Sequence, residues 1–147
     1  MLFFTQAGHA EKIEEKEAAI ALYRESLIQD PTLAPALINM GTIFFHQGNF
    51  EEAQKCYRRA VEIDPDYTIA WFDLGNVLEE QGHFQESVEC YLKALVLDPR
   101  YIDPRYNIAL AYQRMGENRK GFHNGETVCR YSCRCDDLAI MLLHRIK

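Results

Sequence analysis

A pattern that recurs at one fixed interval constrains the fold of this chain more than any other feature. An Asp-Pro pair begins at Asp30, Asp64 and Asp98, so both intervals are 34 residues (64 − 30 and 98 − 64). Apolar, aromatic and glycine positions keep the same register, and Gly75 follows Gly41 at the same interval. A period of this length is typical of repeat proteins, in which each unit buries its apolar face against a neighbour.

Each copy of the pattern predicts two helices. Apolar residues spaced by three and four predict helices in pairs, over 36–47 with 51–62 and over 70–81 with 85–97. Gly48 and Gly82 follow the first helix of each pair, since glycine tolerates the left-handed conformation at a helix end. The Asp-Pro pair ends the second helix, because the residue before proline disfavours the α region.

Gly41 and Gly75 lie inside the first helices, where a glycine costs about 1 kcal/mol relative to alanine. We expect each glycine to lie where the first helix crosses the second, so that the two backbones approach closely. The expected neighbours are small side chains of the second helix, namely Ala53 and Ala60 for Gly41, and Ser87 and Ala94 for Gly75.

These positions resemble the tetratricopeptide repeat (TPR) family, whose pattern runs W-x₂-L-G-x₂-Y, then A-x₃-F, then P. One copy reads Trp71-x₂-Leu74-Gly75-x₂-Leu78, Ser87-x₃-Tyr91 and Pro99. The resemblance implies an all-α fold, a right-handed α-solenoid of TPR helix-turn-helix repeats. It also implies a protein-interaction module with no enzymatic activity and no cofactor.

The register predicts the organisation of the whole chain. A degenerate N-terminal repeat of two helices is expected over 1–33, although Glu14 replaces its turn glycine. Gly121 and Gly125 occupy the slots of the alanine and the aromatic residue of the last copy, which argues for a turn there. The expected segments are therefore repeats 1–33, 34–67 and 68–101, a first helix alone over 102–120, and an atypical tail 121–147 with a possible helix over 137–146.

Composition narrows the classes of function. The net charge of −6 argues against a general nucleic-acid binder, which needs a basic face for the phosphates. No apolar run approaches the ~18 residues that span a bilayer, so no membrane segment is expected. Five cysteines, an odd number without a recognisable secretory leader, favour a reducing compartment, for which we expect the cytoplasm.

No catalytic or metal-binding constellation is recognisable. The serines do not lie in a G-x-S-x-G elbow, and no phosphate-binding G-x-x-x-x-G-K-[ST] occurs. Cys129, Cys133 and Cys135, with His123 or His144, are conceivable zinc ligands. Their spacing lacks the usual paired pattern of zinc sites, so no metal is predicted.

The TPR resemblance implies a concave surface, lined by the first helices, that binds peptides or extended protein segments. The residues expected to line it are Asn39, Thr42, Phe45 and His46, then Phe72, Asp73, Asn76 and Glu79, and finally Tyr106, Asn107, Gln113 and Arg114. The aromatic residues among them either contact a ligand or pack between neighbouring first helices.

Asn39, Asp73 and Asn107 form one column, in which successive members are separated by one full repeat. An amide carries both a donor and an acceptor, so such a column can bind a peptide backbone whatever its side chains. The column resembles the asparagine ladder of O-GlcNAc transferases, from which Asp73 departs. The alternative is that these are ordinary polar residues of a helix surface.

The charges on this surface predict a neutral or basic protein partner. Asp73, Glu79 and Glu80 face few cations, with Arg114 the main one. We therefore expect no clamp for a C-terminal carboxylate of the kind that chaperone-binding TPR domains use. A second hypothesis is a scaffold fragment that self-associates into a homo-oligomer through its open C-terminal end.

Overall fold

The computed structural model describes residues 2–120, and the side chains of residues 13–116. All regular structure in this part of the chain is helical: α1 (Leu2–Gln29), α2 (Ala34–His46), α3 (Phe50–Ile63), α4 (Thr68–Glu80), α5 (Phe84–Leu97) and α6 (Asp103–Lys120). The chain divides into unit 1, Met1–Pro65, and unit 2, Asp66–Lys147. The predicted all-α fold is confirmed, and the tail with its conceivable zinc ligands and its possible helix lies outside the described residues.

Each unit contains a helical hairpin whose turn is set by a glycine. In unit 1 the turn between α2 and α3 has Gly48 at φ 76°, and in unit 2 the turn between α4 and α5 has Gly82 at φ 81°. Asn49 caps α3 by accepting a hydrogen bond from the backbone of Glu52 at 3.4 Å. Both second helices end directly before an Asp-Pro pair. The predicted pairs of helices are confirmed, because no boundary differs by more than two residues.

The two glycines inside the first helices lie at close crossings, but they face tyrosines. A Cβ on Gly41 would lie 2.8 Å from Cε1 of Tyr57, and one on Gly75 would lie 2.6 Å from Cδ1 of Tyr91. The prediction of a close approach is thus confirmed, and the atoms nearest to each glycine belong mainly to a tyrosine ring, where small side chains were predicted. The small residues of α3 and α5 are fully buried and let the helices approach, while the tyrosine rings fill the space beside each glycine.

Residues 2–29 form one continuous helix, where the register predicts the two helices of a degenerate repeat. Glu14 stands where the later copies have the glycine of the turn, and no proline interrupts the segment. Without a left-handed residue the backbone has no reason to reverse, so the helix continues. α1 packs against α2, and Arg59 of α3 donates to the carbonyl of Pro31 at 3.3 Å.

In unit 2, α6 packs on α5. α6 is the first helix of the third copy of the repeat. Val88, Tyr91 and Leu95 of α5 form a core with Ile108 and Ala111 of α6. Partly buried side chains complete this core, namely Phe72, Leu92, Tyr112 and Met115. α5 therefore packs against both α4 and α6.

Candidate functional site

Tyr91 is the centre of a polar cluster in unit 2. Its hydroxyl lies 2.9 Å from Oδ1 of Asn76 and 2.8 Å from Oε2 of Glu79. A phenol carries one proton, so the two acceptors share a single donor. Burial, and after it the hydrogen bond to Glu79, raise the pKa of Tyr91. The hydroxyl therefore stays a neutral donor near pH 7, and the cluster is anchored from α5.

Two contacts join α4 directly to α6. Nδ2 of Asn107 donates to Oδ1 of Asn76 at 2.9 Å. Nη1 of Arg114 lies 3.0 Å from Oε1 of Glu79, whose side chain is only 7% exposed while that of Arg114 is 41% exposed. Four residues predicted to line a binding surface are thus brought together. Their contacts with one another were not predicted.

Asp73 lies one turn before Asn76 on α4 and differs from the cluster in its lack of a hydrogen-bond partner among the described residues. Its carboxyl is partly buried, and no residue in the described part of the chain donates a hydrogen bond to it. Burial raises the pKa of Asp73 to about 6. The pKa of Tyr101 is raised by burial and then by the charges of Asp103 and Asp73, which places both carboxyl groups near its ring. Unit 2 therefore holds an acceptor whose hydrogen-bonding capacity is unused by the described residues.

The aromatic residues of unit 2 divide between packing and exposure. Phe72 packs inside the unit, with its ring centroid 5.0 Å from that of Tyr101 and 5.8 Å from that of Tyr91. Tyr106 is 71% exposed. Gln113 is exposed as well. Of the two roles open to these aromatics, Phe72 takes the packing role and Tyr106 remains available for a ligand.

The predicted positions of unit 1 are described by themselves. Asn39 and His46 are exposed. Oγ1 of Thr42 donates to the carbonyl of Ile38 at 2.9 Å and shares a hydrogen bond with the hydroxyl of Tyr57 at 3.2 Å. The ring of Phe45 packs edge-on against that of His46, with centroids 5.9 Å apart. Thr42 thus holds the tyrosine in the way that Asn76, at the equivalent position, holds Tyr91.

Residues 2–120 offer little for metal binding, thiol reactivity or membrane insertion. Within this range no three His, Cys, Asp or Glu side chains gather closely enough to hold a metal ion. Cys56 and Cys90 are buried thiols that do not form a disulfide, and burial raises the pKa of Cys56 to about 11, which makes it a poor nucleophile. None of the described helices combines the length and the apolar character that crossing a membrane requires.

Helical hairpins repeated at a constant interval, with a polar cluster held between first helices, define a helical repeat protein. The chain belongs to the TPR family: the family profile described as TPR repeat matches residues 41–82 and 79–116, more than half of the sequence. TPR repeats generally mediate protein–protein interactions, and proteins built from them are typically non-catalytic interaction modules.

Solved structures with the same fold include two crystal structures of MamA. The first has a TM-score of 0.67 at 24% sequence identity and is matched over 75% of this chain and 64% of its own length. The second has a TM-score of 0.66 at 22% identity, with 78% of this chain and 72% of its own length covered. At these identities the likeness shows the fold. Comparison with curated proteins gave no match.

Proposed function

We propose that the chain is a protein-interaction module that binds an extended peptide segment or a partner helix on the surface where α4 and α6 of unit 2 lie side by side. Asp73 and Asn76 contribute from α4, and Tyr106, Asn107 and Arg114 contribute from α6. The partner is neutral or basic. The observation that carries this proposal is the partly buried carboxylate of Asp73, which has no hydrogen-bond partner among the described residues.

A carboxylate that is partly buried and has no hydrogen-bond partner among the described residues favours a ligand that donates a hydrogen bond to it. Leaving a buried polar group without a partner costs about 1–3 kcal/mol, and a donor from a ligand recovers part of that cost. Glu79 and Arg114 neutralise one another at 3.0 Å, whereas no described cation acts on the carboxyl group of Asp73. A peptide N–H, or the cation of a lysine or arginine, is the group that fits such an acceptor.

The remaining groups of the surface are held in place before any ligand arrives. Asn76 and Asn107 are fixed by their mutual hydrogen bond and by Tyr91 beneath them. Fixed side chains lose little conformational entropy on binding, which favours affinity. Tyr106, at 71% exposure, offers an aromatic ring for apolar contact with the ligand. In unit 1 the equivalent positions remain predicted contact residues: Asn39, Thr42, Phe45 and His46.

Selection from a random peptide library with the full chain tests this function. The best peptides are then titrated calorimetrically against the wild-type protein, Asp73→Asn and the control Gln85→Ala, which changes an exposed residue of α5. We expect selected peptides to be enriched in lysine and arginine over aspartate and glutamate. Asp73→Asn should weaken binding by about tenfold, the loss of one charge-assisted hydrogen bond. Enrichment of acidic peptides, or equal affinity of Asp73→Asn and wild type, would contradict the proposal.

A further inference from the structure

Tyr101, in the short segment between α5 and α6, lies close to the carboxyl group of Asp73. Its ring packs on that of Phe72, the neighbour of Asp73 on α4, with ring centroids 5.0 Å apart and planes inclined at 59°. Burial raises the pKa of Tyr101, and the negative charges of Asp103 and Asp73 raise it further, so both carboxyl groups lie near the ring. An aromatic ring and two carboxylates thus meet in one part of unit 2.

These groups are open to a ligand. Tyr101 and Asp73 are partly exposed, and Asp103 is exposed. In the described part of the chain, no fully buried side-chain oxygen lacks a hydrogen-bond partner. The carboxyl oxygens of Asp73 have no partner among the described residues, so at least one of them reaches solvent. A ligand can therefore contact this carboxylate without first displacing a protein group.

The cations of the neighbouring chain segment are engaged elsewhere. Nε of Arg100 lies 3.9 Å from Oδ1 of Asp98, and Nη2 of Arg105 donates to the carbonyl of Pro99 at 2.9 Å. Asp73 has no ion pair among the described residues, and burial alone accounts for its raised pKa. The negative charge beside the aromatic rings is therefore available to a cation of a partner.

The two carboxylates distinguish this copy of the repeat from the copy before it. The tyrosine recurs one repeat earlier as Tyr67, whereas the positions of the two carboxylates then hold Asn39 and Ile69. A tyrosine at this position of the repeat therefore does not require acidic neighbours. Their presence beside Tyr101 fits a role in binding.

We propose that this part of unit 2 is a subsite for one arginine side chain of the partner, whose guanidinium donates to the carboxylate of Asp73 and lies against the ring of Tyr101. This inference rests on the proposed function, since it names the cation that the binding surface takes. A planar guanidinium stacks on an aromatic ring while its fork of donors binds a carboxylate. The ammonium of lysine is compact and more strongly hydrated, so it is less suited to a partly buried carboxylate. Asp103 adds a second negative charge nearby.

Matched peptides test this subsite with the full chain. The tightest arginine-containing peptide from the random library is compared with copies in which each arginine in turn is replaced by lysine or by neutral citrulline. With the wild-type protein, lysine at one position should weaken binding about tenfold, and citrulline there should weaken it more. Tyr101→Leu should reduce the preference for arginine over lysine to about twofold. Tyr67→Leu, which changes the tyrosine one repeat earlier, is the matched control and should leave the preference unchanged.

Equal affinity of the arginine and lysine peptides for the wild-type protein would overturn the subsite. So would an unchanged preference in Tyr101→Leu, or a selection that yields lysine without arginine. If Asp73→Asn still weakened binding of the selected peptides, the proposed binding surface would stand without the arginine subsite. Enrichment of acidic peptides would remove both.

NMR gives an independent measurement should Tyr101→Leu fold poorly. In the complex of the wild-type protein with the arginine peptide, we expect nuclear Overhauser effects between the arginine side-chain methylene protons and the ring protons of Tyr101. The ring signals are assigned by comparison with Tyr101→Phe, which keeps a ring beside Phe72. The absence of these effects at saturation would also overturn the subsite.

Discussion

At the scale of single residues, two buried tyrosines decide how the hairpins pack. Tyr57 lies over Gly41 and Tyr91 lies over Gly75, and each hydroxyl hydrogen-bonds a side chain of the first helix. The ring supplies apolar contact while the hydroxyl satisfies a polar neighbour, which suits a side chain that joins a core to a polar surface. A side chain at either glycine would collide with the ring.

Gly75→Ala should therefore destabilise the protein. The new Cβ overlaps the ring of Tyr91, and overpacking of this kind costs about 1–3 kcal/mol, more than the helix propensity that alanine adds. Gly116→Ala is the matched control, since nothing lies within 4 Å of a Cβ at that helical position. It should raise the free energy of unfolding by up to about 1 kcal/mol. Urea denaturation measures both, and equal effects would contradict the close approach.

Asp73→Asn should stabilise the protein at pH 7 although it weakens binding. The folded-state pKa of Asp73 is about 6, above the ordinary value of 3.8. Between these values the folded chain binds more protons than the unfolded chain, so stability falls as pH rises from about 4 to 6. The neutral amide removes this component and should add about 1–2 kcal/mol at pH 7, less than the full shift because the group is partly solvated.

Urea denaturation of wild type and Asp73→Asn between pH 4 and pH 7 measures this difference. The variant should show the flatter dependence of the free energy of unfolding on pH. A variant that is less stable than wild type at pH 7 would show that the carboxylate has a structural partner. A gain in stability with a loss of affinity is the behaviour expected of a binding residue held in an unfavourable state.

At the scale of helices, the attachment of α6 depends on side-chain pairs as well as on the apolar core. Asn107 and Arg114 of α6 reach Asn76 and Glu79 of α4, and Tyr91 of α5 binds both acceptors. Three helices thus meet at one polar cluster. Loss of a member that leaves a buried partner charged should loosen α6 more than a surface change does.

Arg114→Ala should lower the free energy of unfolding by about 1–3 kcal/mol, because Glu79, whose side chain is 7% exposed in the wild-type chain, loses its cation. Arg100→Ala is the matched control, since Arg100 is 96% exposed and 3.9 Å from Asp98. Its effect should be close to zero, as for most surface ion pairs. Hydrogen exchange measures the amides of α6 in both variants. Faster exchange of α6 in Arg100→Ala than in Arg114→Ala would contradict the role of the cluster.

The repeated pattern was sufficient to predict α2 to α5, since the spacing of Gly48 and Gly82 and the Asp-Pro pairs fixes where these helices end, but it wrongly divided α1 into two helices. It was not sufficient for the contacts between them. Periodicity assigns a residue to a face, whereas the pairing of Glu79 with Arg114 depends on how closely two helices pack. The opposite charges on successive first helices were the available signal. Periodicity also cannot predict which side chain of the second helix lies nearest to a glycine of the first. For this reason the tyrosines next to Gly41 and Gly75 were not predicted.

At the scale of the whole molecule, each unit carries its own hairpin with the same tyrosine arrangement and a different surface. The position that holds Phe45 in unit 1 holds Glu79 in unit 2, so the polar cluster belongs to unit 2 alone among the described residues. The sequence predicts acidic character for the molecule, with a net charge of −6. This negative net charge has the same sign as the carboxylate of Asp73, the acceptor proposed for the binding surface.

A basic peptide should consequently bind with a strong dependence on salt. The field of an acidic protein attracts a cation over about 8 Å at physiological ionic strength and over less at higher salt. We expect affinity for a selected basic peptide to fall steadily as salt is raised, and the association rate to fall with it. Surface plasmon resonance at increasing salt measures both, with an uncharged peptide as control. Affinity that is independent of salt would argue for a purely apolar mode of binding.

The most direct test of the proposed binding surface is to map a bound peptide by NMR. A selected basic peptide is titrated into the ¹⁵N-labelled full chain, and the amide shifts are followed to saturation. We predict saturable shifts concentrated around Asp73 and Asn76 on α4 and around Tyr106 and Asn107 on α6, with a midpoint at about tenfold higher peptide concentration in Asp73→Asn. Saturable shifts confined to the exposed residues of α5, unchanged in that variant, would contradict the proposal.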